Sequence, residues 1–269
     1  MTSALIIILR EVLEAMLIIS LLLAASTNLE IHRRWVVAAI ISGMVGAGIY
    51  ALFFNPISDA FEGVGQEITN AATLFIISIS LAMICFIIID HIKAGLRVIP
   101  VYAGIIGLFG SIGLAITREG AEIYIYFSGY VVSPEPLQPV LIGGVLGAGI
   151  GFSVGALIYY SLKTLGRTAS LLISCIVLVP VGAGMVSQGI TYLMQADKLP
   201  AQSPLWNSTR LVAENSVLGE LLYALFSYEA TPTPLHVTFY VATFATTLLG
   251  MAAVCYVKGN PGSNNLDYV

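Results

Sequence analysis

The stretch LREVLEAML, residues 9–17, places Arg10, Glu11 and Glu14 inside a run that is otherwise almost wholly apolar, SALIIILREVLEAMLIISLLLA. A second stretch, TREGAEIYIY at 117–126, repeats the Arg-Glu-x-x-Glu spacing with Arg118, Glu119 and Glu122. On a helix each residue advances by about 100°, so Arg10 and Glu14 lie within about 40° of each other and Glu11 and Glu14 within about 60°. Each motif therefore gathers its three charges on one face. In a membrane such a group costs about 2.5 to 3.5 kcal/mol on insertion scales, and it must face protein, water or another charge.

Composition says that the surroundings are a membrane. Of 269 residues, 58% are hydrophobic and 10% charged, where soluble domains carry about 25% charged residues. Mean hydropathy is +0.93. The net charge of −4 and the scattered basic residues leave no footprint for nucleic acid. Cys85, Cys175 and Cys255 lie in separate apolar runs without CxxC spacing and read as small hydrophobes. No Lys or Arg precedes the first apolar run, so that run is expected to be retained as a span and not removed as a signal.

About 20 apolar residues cross the hydrocarbon layer as a helix. Seven segments qualify, near residues 4–26, 35–54, 70–90, 101–130, 139–162, 169–191 and 235–257. Arg33, Arg34, Lys93, Arg97, Lys163, Arg167 and Lys258 fall in connections on one side, whereas only Lys198 and Arg210 fall on the other. The positive-inside rule then predicts an outer N-terminus and a cytoplasmic C-terminus. Asp59, Glu62, Glu67, Glu135, Asp197, Glu214, Glu220 and Glu229 collect on the expected outer face, which draws cations toward the cell membrane. The connection 192–234 is expected to hold an interfacial helix behind Asn207 or Ser208, ended by TPTP at 231–234.

Spans one and four share the motif but run in opposite directions, which predicts an all-α fold of two inverted three-helix repeats, about 1–95 and 100–191, plus a seventh helix. These belong to one permease domain, 1–258, followed by a cytoplasmic tail, 259–269. Small residues recur at i+4 steps in span two (Ala39, Gly43, Ala47, Ala51) and span five (Gly143, Gly147, Gly151, Gly155), a pattern for close helix packing. The seventh span has no counterpart; it either closes the bundle or supports a homo-oligomer.

Four Glu against two Arg leave a charge of −2 in the motifs if all are ionised. An ion-pair lock between the halves accounts for one carboxylate per arginine and leaves two over. A hard cation accounts for the excess, and the lack of thiolates argues against copper(I). Residue types alone leave Fe³⁺, Mn²⁺, Ca²⁺, Mg²⁺ and a proton path open. No nucleophile and base pair or cofactor motif points to an enzyme.

The motifs REVLE at 10–14 and REGAE at 118–122, in the first and fourth of seven spans, resemble the oxidase-dependent iron permeases, which include the fungal high-affinity iron permeases and bacterial Efe-type iron transporters. The resemblance extends to FEG at 61–63 and to LGELLYALFSYEATPT at 218–233. Against the family form, Val12 and Ser227 replace Gly, Ala121 replaces Leu and His236 replaces Gln. The resemblance implies uptake of iron as a transported substrate, usually Fe³⁺ from an external oxidase or periplasmic delivery protein, with no permanently bound cofactor. By matching motifs it makes Glu11, Glu14, Glu119 and Glu122 metal ligands, with Arg10 and Arg118 supporting the site. Glu62 and Glu67 would hand ions inward from the outer face. Two alternatives stand beside it: a permease for another hard or heavy divalent cation, and a non-transporting assembly subunit in which the motifs are only a lock.

Overall fold

The computed structural model describes residues 1–29, 31, 34–94, 101–132, 137–214 and 216–259. Arg33, Arg97, Glu135 and residues 260–269 of the expected tail lie outside the described residues, as do the side chains of Arg34, Glu220 and Lys258. All regular structure among the described residues is helical: α1 (Thr2–Asn28), α2 (Arg34–Leu52), α3 (Phe54–Gly63), α4 (Gly65–Ala94), α5 (Val101–Val132), α6 (Leu137–Thr164), α7 (Arg167–Gln195), α8 (Val217–Phe226) and α9 (Pro234–Gly259). Five of these, α2, α4, α6, α7 and α9, are long and apolar enough to cross a membrane. The helices α1 and α5 have 27 and 32 residues and carry the two charged motifs. Large apolar side chains point outward along the bundle, among them Ile79, Ile106, Val145, Leu157 and Leu249. Such a surface is stable only against lipid, so this is an all-α membrane protein.

Small residues decide which helices touch. Gly143 of α6 lies against the Met1 carbonyl of α1, and a Cβ on Gly147 would stand 2.5 Å from the Leu5 carbonyl oxygen. One on Gly151 would stand 2.7 Å from Val12 Cγ1, and one on Gly155 the same distance from Met16 Cε. Numbers rise together along both helices, so α1 and α6 run parallel. The α2–α5 pair behaves alike: Gly43 meets Ile116, and Ala47 meets Gly120 further along. Without lipid-excluding bulk at these positions, backbones approach closely enough for van der Waals contact to hold them.

The third pair, α4 and α7, runs antiparallel, with Phe75 beside Gly189 and the Ser78 hydroxyl donating to the Gly182 carbonyl at 2.8 Å. Leu74, Ile77, Leu81 and Ile88 of α4 join Leu171 and Leu178 of α7 and Ile18, Leu21 and Leu22 of α1 in the fully buried centre. Cys85 and Cys175, which read as isolated thiols, lie near each other across this pair, both buried and free.

Between α7 and α9 the chain folds into a hairpin. The helix in it starts later than Asn207 or Ser208: Ser216 caps α8 by accepting from the Gly219 amide at 3.0 Å. Residue Ser208 is instead tied to the returning arm of the hairpin, its amide donating to the Ala230 carbonyl and its hydroxyl meeting Tyr228 Oη at 2.8 Å. The hairpin reaches deep. Ser227, in the left-handed region with φ 51°, ends α8 against Gly184, and Gln188 Nε2 donates to its hydroxyl at 2.9 Å. Gly184 precedes the end of α7 at Gln195 by 11 residues, about 16 Å along the axis.

Candidate metal site

The helices α1 and α5 meet at their charged motifs. Arg118 is the hub: Nη1 donates to Glu14 Oε2 at 3.3 Å and to Glu119 Oε1 at 2.5 Å, and Nη2 pairs with Glu122 Oε1 at 3.1 Å. Its side chain is only 3% exposed. Arg10 binds Glu11 Oε1 through Nε at 3.0 Å and Nη2 at 2.6 Å, and its guanidinium lies over the Tyr223 ring, 5.4 Å from the centroid. All four glutamates read from the motifs therefore come together, joined by residues 104 positions apart in sequence.

Within this set Glu11, Glu119 and Glu122 each offer a carboxylate oxygen within 4.8 Å of the others. Glu14 is not one of the three and is held by Arg118. Glu11, Glu14 and Glu119 are buried, and Glu122 is the most open, with its side chain 23% exposed. The arginines do not satisfy them: Glu11 Oε2, Glu14 Oε1 and Glu119 Oε2 are buried without a hydrogen-bond partner among the protein atoms described. An unpaired buried acceptor costs about 1 to 3 kcal/mol, and more when charged. Clustered oxygens with spare lone pairs and no sulfur form a donor set for a hard multivalent cation.

Three tyrosines not singled out in the sequence belong to this neighbourhood. Tyr192 of α7 donates to Glu122 Oε1 at 3.5 Å. Tyr223 is brought by α8, which packs on α1 and α7. Burial, with the Glu14 charge next, pushes the Tyr223 phenol well above its ordinary value, so it stays protonated. Tyr50 of α2 lines the same pocket as Glu122. Their only sequence signal is a phenol within an apolar run, which does not say what it touches.

Glu62 and Glu67 do not join the cluster. Glu62 is exposed in the kink that ends α3, where Phe61, Glu62 and Gly63 all have positive φ. Glu67 sits in the first turn of α4 with Oε2 buried and unpartnered. Beside it Gln66 lines a pocket that runs between α2, α4 and α5 to Arg118 and Glu122. His236 is buried, with Nδ1 3.3 Å from Glu229 Oε1, away from the carboxylate trio.

No curated protein and no solved structure matches the chain. The family model described as the iron permease FTR1 family matches residues 1–259, which takes in every described helix and both charged motifs. An apolar helical bundle with a carboxylate-rich centre is what moving a metal ion across lipid requires, and over that length the match is decisive: this chain belongs to the iron permease FTR1 family.

Proposed function

We propose that this permease takes up iron as Fe³⁺, supplied by an external oxidase or delivery protein, through a site made by Glu11, Glu119 and Glu122 with Glu14 in reserve. Two inverted repeats, 1–95 and 100–191, cross the membrane three times each, and α9 supplies a seventh crossing with the N-terminus outside. The directions of the helix pairs support this layout. Parallel α1–α6 and parallel α2–α5 agree with alternating passage through α1, α2, α4, α5 and α6, and exchanging the repeats turns one pair into the other.

The observation that carries the site is the trio of carboxylates whose oxygens lie within 4.8 Å while several remain unpartnered. A lock needs one carboxylate per arginine; this centre has four for two. Before an ion arrives, Arg118 is paired with Glu119, Glu122 and Glu14 at once. The cation then competes for Glu119 and Glu122, and Arg118 keeps Glu14. Glu62 and Glu67 concentrate ions at the outer mouth. An interior-negative potential favours inward movement by about 2.3 kcal/mol per charge per 100 mV.

The test is iron uptake into vesicles by purified protein, with Fe³⁺, Fe²⁺, Mn²⁺ and Zn²⁺ in competition. Glu119→Gln and Glu122→Gln should lower iron uptake at least tenfold while folded yield is kept. Loss of yield with unchanged uptake per folded molecule would favour the structural lock, and equal transport of all four ions would favour a broader cation permease.

A further inference from the structure

We infer that Tyr192 is a further ligand of the ion, and the one that favours Fe³⁺ over divalent cations: its phenolate oxygen joins the carboxylates of Glu11, Glu119 and Glu122. The inference rests on the permease reading, because it completes the site assigned there.

Tyr192 comes from α7, a third helix beside α1 and α5, and stands three residues before that helix ends at Gln195. Its ring packs against the buried core while its hydroxyl emerges at the α5 motif. Oη lies 3.5 Å from Glu122 Oε1, well beyond the roughly 2.7 to 2.8 Å of a strong O–H···O hydrogen bond, so the phenol is beside the trio but loosely held. Ligand oxygens about 2.0 Å from a small octahedral cation stand about 2.8 Å apart as neighbours and about 4 Å apart when opposite. A separation of 3.5 Å falls between these values, so one ion reaches both oxygens after small side-chain shifts. The other two phenols are placed differently. Tyr223 meets Arg10 with its ring face, and Tyr50 Oη has no hydrogen-bond partner among the described protein atoms.

Three carboxylates alone hold any hard cation, whereas a phenol discriminates by charge. Phenolate is a hard oxygen donor, and tyrosine is an established ligand of haem iron. A trivalent ion displaces the phenol proton far more readily than a divalent one. On binding, the Tyr192 O–H bond breaks, an Fe–O bond forms and the iron stays Fe³⁺. The proton leaves to solvent past Glu122, the most open of the four glutamates. Arg118 Nη2 touches the same Glu122 oxygen at 3.1 Å, which sets a positive charge beside the phenolate. Divalent ions meet Tyr192 as a neutral phenol and are held by the carboxylates only.

Purified full-length protein in detergent, titrated with ferric citrate, tests this by visible absorption, where phenolate-to-Fe³⁺ charge transfer gives a band that carboxylate coordination lacks. Equilibrium dialysis counts the bound ions in parallel. The wild type should gain the band with Fe³⁺ and show none with Mn²⁺ or Zn²⁺. Tyr192→Phe should lose the band and at least tenfold in Fe³⁺ affinity, with Mn²⁺ affinity held within twofold, while Tyr50→Phe and Tyr223→Phe keep the band. Iron bound without the band, or a band that survives Tyr192→Phe, would overturn this ligand and leave the trio standing. A wild type that binds no iron in dialysis would overturn the trio and Tyr192 together. Tyr192→Phe keeps the ring in its packing, and its retained Mn²⁺ binding shows that loss of the band reports the ligand and not the fold.

Discussion

The two copies of the charged motif are alike in sequence and unlike in the folded protein. Arg118, on α5, is 3% exposed and holds carboxylates from both helices, while Arg10, on α1, is 30% exposed, pairs with its neighbour Glu11 and rests on Tyr223. Each motif helix has a parallel neighbour in close contact, α6 for α1 and α2 for α5, yet the two motifs differ in their ion pairing. The difference teaches that Arg118 ties α1 to α5, whereas Arg10 braces Glu11 of its own helix and rests on Tyr223 of α8.

That contrast can be broken most sharply at the arginines themselves. Arg118→Ala strands three carboxylates and is expected to cost about 3 to 5 kcal/mol, whereas Arg10→Ala takes the pair from the buried Glu11 alone and should cost less. Thermal unfolding of both purified variants in one detergent measures it, and equal losses would erase the distinction. The next effect concerns the scaffold that positions α1. Gly147→Leu drives a side chain into the Leu5 backbone and should destabilise by about 1 to 3 kcal/mol. Gly149→Leu, with nothing within 4 Å of its Cβ position, should leave unfolding unchanged.

Smaller still is the aromatic support under Arg10. Tyr223→Leu keeps bulk but removes the ring face, an expected loss of about 0.5 to 1 kcal/mol that should vanish when Arg10 is already Ala. A double-mutant cycle on melting temperature reads that coupling. Last comes Tyr192→Phe, which removes only the 3.5 Å contact to Glu122 and should shift stability by no more than about 0.5 kcal/mol. A larger shift would mean that the Tyr192 hydroxyl of α7 helps to hold the α5 motif.

Much of the site is legible in the order of residues alone. Period 3.6 places Arg10, Glu11 and Glu14 on one face, and the cost of charge in lipid demands that such a face find partners. The i+4 spacing of Gly143, Gly147, Gly151 and Gly155 announces a close helix contact, and α6 does press that stripe onto α1. What stays hidden depends on distant neighbours. Cys85 and Cys175 lie near each other although 90 residues separate them (85 to 175), and no local spacing signals a thiol pair of that kind. The helix in the long connection begins at Val217 because Ser208 is consumed by bonds to Tyr228 and Ala230, partners that its own flanking residues do not disclose.

By itself the sequence determined that this chain lives in lipid as helices and that two carboxylate-rich faces lie buried there, because burial of charge and helical period are local properties. Only the tertiary structure decided that Glu11, Glu119 and Glu122 form the trio while Arg118 takes Glu14. Which oxygens come within reach of one ion depends on the rotation and depth at which α1 crosses α5. Close contacts of α1 with the α6 glycines and of α5 with α2 accompany that crossing, and their partners on α6 and α2 lie outside residues 9–17 and 117–126.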